Sequence, residues 1–160
     1  MKLALAADHA GFALKADLLA WIDTNGYEVV DLGAYSVEPE DDYPDISETA
    51  AIYVASGKAE RGIIICGSGV GASIVSNKIH GVRAAVCHDI YSARQGVEHD
   101  DMNILCLGAR VVVTELAREL TQEFLVAKFS SEERHIRRLN KVIAIDDRHS
   151  KSFLDIRRGT

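Results

Sequence analysis

Two prolines, three cysteines and 6% aromatic residues in 160 positions close off several architectures. So few prolines, with only twelve glycines, exclude a collagen-like or Pro-rich linker protein. The cysteines (Cys66, Cys87 and Cys106) are odd in number and form no C-x-x-C pair or metal-ligand spacing. A disulfide scaffold and a zinc ribbon are thereby excluded, and no metal site is expected. No apolar run approaches the roughly 18 residues that a membrane crossing needs. The opening Met1-Lys2-Leu3-Ala4-Leu5-Ala6-Ala7 begins like a secretory leader, but Asp8 and His9 cut it short of an h-region. The expectation is a cytoplasmic protein. Positive charge is also in deficit. Eighteen Lys and Arg against 24 Asp and Glu give −6, which argues against a nucleic-acid surface.

What is present is an ordinary globular composition, 48% hydrophobic and 26% charged, long enough for one domain with a conventional core. Short apolar runs alternate with helical patterns. Strands are expected at Leu3–Ala7, Tyr27–Leu32, Gly62–Cys66, Val82–Cys87 and Asn103–Leu107. Helices are expected over Phe12–Asn25, closed by Gly26, and over Ile46–Ser56, Gly71–Lys78, Tyr91–Val97, Thr114–Phe129 and Ser131–Ile145. Gly33–Asp45, with both prolines and an acidic run, reads as a loop. Continuous apolar strands between helices imply a parallel sheet covered on both faces. The fold expected is α/β, a Rossmann-like three-layer α/β/α sandwich of about five strands. Ligands then belong beyond the C-terminal strand ends, at Asp8-His9, Cys66–Gly71, Cys87–Asp89 and Gly108–Arg110.

Cys66-Gly67-Ser68-Gly69-Val70-Gly71-Ala72-Ser73 is the most informative stretch. Its glycines let backbone approach a ligand, and the helix that follows points N–H groups at an anion. Gly67-x-Gly69-x-x-Ala72, with Asp89 about twenty residues on, satisfies a dinucleotide fingerprint. A nucleotide-binding module is therefore one reading, although the motif follows the third strand. A P-loop is excluded because no Gly-Lys-Ser/Thr follows. A thiolate phosphatase is excluded because Ala72 stands where its arginine belongs. The other reading uses Cys66. A thiol beside a helix N-terminus can have its pKa lowered from about 8.5 toward neutrality and act as a base. Amides of Gly67–Gly71 would hold the oxyanion that forms. Against this, buried strand cysteines are usually inert.

His99, among Glu98, Asp100 and Asp101, is expected to stay protonated if those acids are close, which suits a proton donor. Arg134 and Arg138, at i and i+4, can face one phosphate, or else form a solvated face with Glu132 and Glu133.

Four separated motifs occur in order: Ala7-Asp8-His9-Ala10-Gly11-Phe12, Asp42-Tyr43-Pro44-Asp45, Cys66–Gly71, and His99-Asp100-Asp101-Met102-Asn103. Together they resemble the ribose-5-phosphate isomerase B family, which includes allose- and galactose-6-phosphate isomerases. The resemblance spans residues 1–146 as one isomerase domain. The tail, 147–160, is left as a terminus or an arm packing on a partner subunit.

The resemblance implies an aldose–ketose isomerase without cofactor or metal, working through a cis-enediolate on ribose 5-phosphate. Catalytic roles fall to Cys66 as base, His99 in ring opening and Ser68 at a substrate oxygen. Asp8, His9, Gly67, Gly69, Val70, Gly71, Asp100, Arg110, Arg134 and Arg138 would bind substrate. The family forms homodimers or dimers of dimers with pockets shared between subunits, so a lone chain should be inactive. Many ribose-5-phosphate members have Asn where this chain has Asp100. Ionised Asp only accepts hydrogen bonds, so a tetrose or hexose phosphate is the alternative substrate.

Overall fold

The computed structural model describes residues 1–158, with side chains described through Ser150. Five parallel strands, β1 (Lys2–Ala7), β2 (Glu28–Asp31), β3 (Arg61–Cys66), β4 (Ala84–Val86) and β5 (Ile104–Gly108), form one sheet in the order β2-β1-β3-β5-β4. Alternate side chains leave opposite faces of a strand, so each strand feeds two cores. Leu3, Leu5, Ile63, Ile65, Leu105 and Leu107 pack on one face. There they meet α1 (Phe12–Thr24), α4 (Ile90–Asp100) and α5 (Thr114–Val126) through Leu18, Ile22, Val97, Leu120 and Phe124. Ala4, Ala6, Ile64, Cys66, Ile104 and Cys106 face the other way, against Ala50, Ala51 and Val54 of α2 (Tyr43–Ala55) and Ala72 of α3 (Val70–Ser76). The three-layer parallel sandwich expected from the sequence is the fold observed.

Helix ends follow local chemistry. Gly26, at φ +78°, closes α1, with its N–H donating to Asp23 O and that of Tyr27 to Ile22 O. That pairing is a Schellman cap, which only a residue tolerant of positive φ accommodates without strain. Arg61 ends α5 by donating to the carbonyls of Phe124 and Ala127, so that helix stops at Val126 and not Phe129. Asp89 caps α4, its Oδ1 accepting from Ser92 N–H at 2.8 Å.

Other expected boundaries also need correction. α2 begins at Tyr43, three residues early, because Pro44 opens the helix: its fixed φ and missing N–H suit the first turn. The last helix, α6 (Glu133–Arg158), does not stop at Ile145 but continues as a single helix through most of the expected tail. Residues 159–160 of that tail lie outside the described residues.

Candidate active site

β1 pairs with β2 on one side and β3 on the other, so the chain reverses direction across the sheet at β1. The crevice beyond the ends of β1 and β3 is the switch point where such sheets bind ligands. Ala7 stands in register with Ile65, which makes Asp8 and Cys66 neighbours there. β5 lies next to β3, with Gly108 opposite Cys66, and so delivers Arg110 to the same edge. A cleft of about 500 Å³ results, lined by Asp8, Tyr43, Cys66, Gly67, Ser68, Val70, Gly71 and Arg110 among others.

The loop folds around the sulfur. Gly69 takes φ +80°, where a side chain would be strained and a Cβ would meet Leu107 backbone at 3.0 Å. That turn aims the Gly69 N–H at Cys66 Sγ, 3.1 Å away. Gly69 is itself buried and shapes the loop from beneath, while exposed Ser68 takes the Val70 N–H on its Oγ at 3.3 Å. Arg110 is tied on by its N–H to Gly67 O at 3.1 Å, and its guanidinium lies over Gly67. The loop therefore carries a cation beside a buried thiol. Asp8, 7% exposed, is held by Gly11 N–H on Oδ1 at 3.0 Å.

Tyr43 was not among the residues expected at the site. Its ring lies so close to Gly71 that a Cβ there would come within 2.5 Å of it. The signal was Pro44, which places Tyr43 at the first turn of a helix starting at this edge of the sheet. Asp41 was missed as well. Its Oδ1 lies 2.5 Å from His9 Nδ1 and also accepts the His9 N–H at 3.1 Å. That hydrogen bond raises the His9 pKa above its ordinary value, with the Asp41 and Asp8 charges adding to it.

His99, Asp100, Arg134 and Arg138 do not line this cleft within the chain. α4 starts at the C-terminal edge of the sheet and runs back, so its last residues lie at the N-terminal edge. A strand of five or six residues separates the two edges by about 17–20 Å. Ser130 N–H donates to Glu98 O at 2.9 Å, bringing the start of α6 to the same far edge. His99 there stacks on His135, ring centroids 4.0 Å apart, and its Nδ1 lies 2.7 Å from Gln95 Nε2. Its acidic neighbours are engaged elsewhere, Glu98 with Arg94 and Asp101 with Arg83. Arg134 pairs with Glu132 at 2.9 Å in solvent, and Arg138 is exposed. Asp100 borders a different hollow of about 530 Å³ beneath α6.

The other cysteines are not rivals to Cys66. Burial pushes Cys87 up to about 11, and Cys106 higher still. The dinucleotide reading loses its acidic partner, since Asp89 is committed to capping α4.

A thiol, a carboxylate and a guanidinium around a glycine loop, at the switch point of a parallel sheet, define an α/β enzyme for a small anionic substrate. The chain belongs to the Ribose/Galactose Isomerase family, whose profile matches residues 3–142. It is 42% identical to ribose-5-phosphate isomerase B of Escherichia coli over 93% of this chain and 99% of that protein. It is 37% identical to D-erythrulose-4-phosphate isomerase 2 of Mycolicibacterium smegmatis over 91% of this chain and 97% of that one. Ribose-5-phosphate isomerase B from Mycoplasma genitalium, solved with bound ribulose-5-phosphate, superposes with a TM-score of 0.87 at 35% identity, covering 91% and 96% of the two chains.

Proposed function

We propose that this protein interconverts ribose 5-phosphate and ribulose 5-phosphate in the cytoplasm. The observation that carries this reading is Cys66 beside the Gly67–Gly71 loop and Arg110 in a member of a sugar isomerase family. His99 assists opening of the sugar ring. Cys66, as thiolate, takes the proton from C2 of the open aldose, and the electron pair passes through C1 to its oxygen. Amides of the loop hold the resulting cis-enediolate, and Ser68 hydrogen-bonds a substrate oxygen. The proton returns from sulfur to C1 while the O2 proton passes to O1, which leaves the ketose and a thiolate. Asp8 and His9 contact the sugar.

Arg110, Arg134 and Arg138 hold the phosphate, with the two α6 arginines and His99 supplied by a second copy in a homodimer or dimer of dimers. The separation of the two groups across the sheet within one chain supports this sharing.

Asp100 favours a second reading, the same chemistry on a tetrose phosphate, because an acceptor-only side chain selects a different hydroxyl pattern than Asn. Turnover of C4, C5 and C6 aldose phosphates by wild type and Asp100→Asn tests both. The main reading requires that the C5 substrate lead in wild type. A tetrose preference that shifts to pentose in Asp100→Asn establishes the second. No isomerisation of any sugar phosphate overturns both.

A further inference from the structure

The expectation from sequence was a His99 kept protonated by acidic neighbours, but its partner is the neutral carboxamide of Gln95, one turn earlier on α4 at 2.7 Å. We propose that Gln95 is a positioning residue that sets the tautomer and aim of His99, donating to Nδ1 so that Nε2 bears the hydrogen offered to the sugar. An amide nitrogen carries hydrogens and no acceptor, so Nδ1 facing it must present its lone pair. The single ring hydrogen then resides on Nε2.

The far face of the ring is fixed too. His135, 1% exposed, stacks on His99 with 28° between the planes. Its Nδ1 meets Ser130 Oγ at 2.6 Å, and that oxygen accepts the Glu132 N–H at 3.3 Å, leaving its hydroxyl hydrogen for Nδ1. His135 is thereby neutral, and burial lowers its pKa, with the Arg134 charge adding to the effect. Gln95 fixes which nitrogen carries the hydrogen, and His135 fixes the plane in which it points.

This rests on the ring-opening role proposed for His99. Opening a furanose breaks the C1–O4 bond and moves the C1 hydroxyl proton to O4, with no net gain or loss of a proton. Charge develops on O4 as the bond breaks, and a neutral imidazole N–H can stabilise it without surrendering its own hydrogen. The reverse tautomer would offer O4 a lone pair and repel it.

The two directions of the reaction separate this role from a structural one. Ribose 5-phosphate must open before C2 can react. Ribulose 5-phosphate, with O5 phosphorylated, has no hydroxyl placed to close a furanose ring, so its C1 hydrogen exchanges with solvent without that step. Gln95→Leu should lower kcat on ribose 5-phosphate about tenfold, less than the roughly 10²–10⁴-fold a positioned acid or base itself supplies, because Gln95 acts only through His99. Deuterium uptake at C1 of ribulose 5-phosphate should stay within about twofold of wild type. Gln95→Glu, whose carboxylate accepts from Nδ1–H, should show at least as large a split.

Nitrogen NMR of labelled protein should show a pyridine-type Nδ1 and pyrrole-type Nε2 on His99, reversed in Gln95→Glu. Equal loss of both rates, no loss of either, or a pyridine-type Nε2 in wild type overturns the proposal. His99→Asn distinguishes the two levels. Without a split there, the ring-opening role fails and takes the consequence claimed for Gln95 with it. With a split there and none in Gln95→Leu, the Gln95 assignment alone fails.

Discussion

At the scale of single residues, the site depends on which neighbour each titratable group has. His9 was legible as a residue at the end of β1, but its partner was not. Asp41 sits 32 positions away, in a loop whose acidic run reads only as solvated, and nothing in the local pattern aims it at an imidazole. The consequence is a pH effect of definite sign. A raised pKa means that the fold favours the imidazolium. The stabilisation is therefore fully present below the ordinary value of about 6.5 and is lost as pH rises through the higher folded value. Asp41→Asn should return the His9 titration, followed by NMR, toward its ordinary value. It should cost more stability at pH 6 than at pH 9. An unchanged His9 titration would show that the 2.5 Å contact does not set its charge.

At the scale of elements, periodicity exposed the strands as short apolar runs, and helix α1 by an apolar spacing that ends at the Gly26 cap. Strand order was not legible. That β5 inserts between β3 and β4 depends on crossovers that sequence spacing does not encode, and it is this order that brings Arg110 to Cys66. The length of α6 was hidden for another reason: its polar composition past Ile145 resembles a tail when no packing partner is in view.

One non-local tie is testable directly. Lys15 on α1, 2% exposed, binds both carboxylate oxygens of Asp31 at 2.6 and 2.7 Å and the Ala34 carbonyl at 2.7 Å. It fastens the exit of β2, the start of the loop that carries Asp41. Asp31→Ala strands a buried ammonium, a loss of about 3 kcal/mol. For a chain of this size that is a fall in Tm of about 6–12 °C. Replacing Lys15 by Met as well should restore much of it, since the stranded charge disappears. If the double variant melts no higher than Asp31→Ala, the cost lies in packing and not in the unpaired charge.

At the scale of the whole molecule, net charge and function diverge. A surface of −6 carries His9 and Arg110 at one edge of the sheet and Arg134 and Arg138 at the other, so local fields for an anion exist within an acidic protein. The motifs were readable as a set, yet no reading of one chain could join them, because α4 carries His99 away from the edge where Cys66 sits. The proposed activity therefore requires two half-sites, each incomplete alone, which a symmetric pairing of two copies would join.

Co-expression of Cys66→Ala with His99→Asn tests this most directly. Each variant alone should lack ribose 5-phosphate isomerase activity. Random pairing makes half the dimers mixed, each with one intact site, so the mixture should recover about a quarter of wild-type turnover. Recovery of nothing, from variants shown to be folded and paired, would contradict a site divided between subunits.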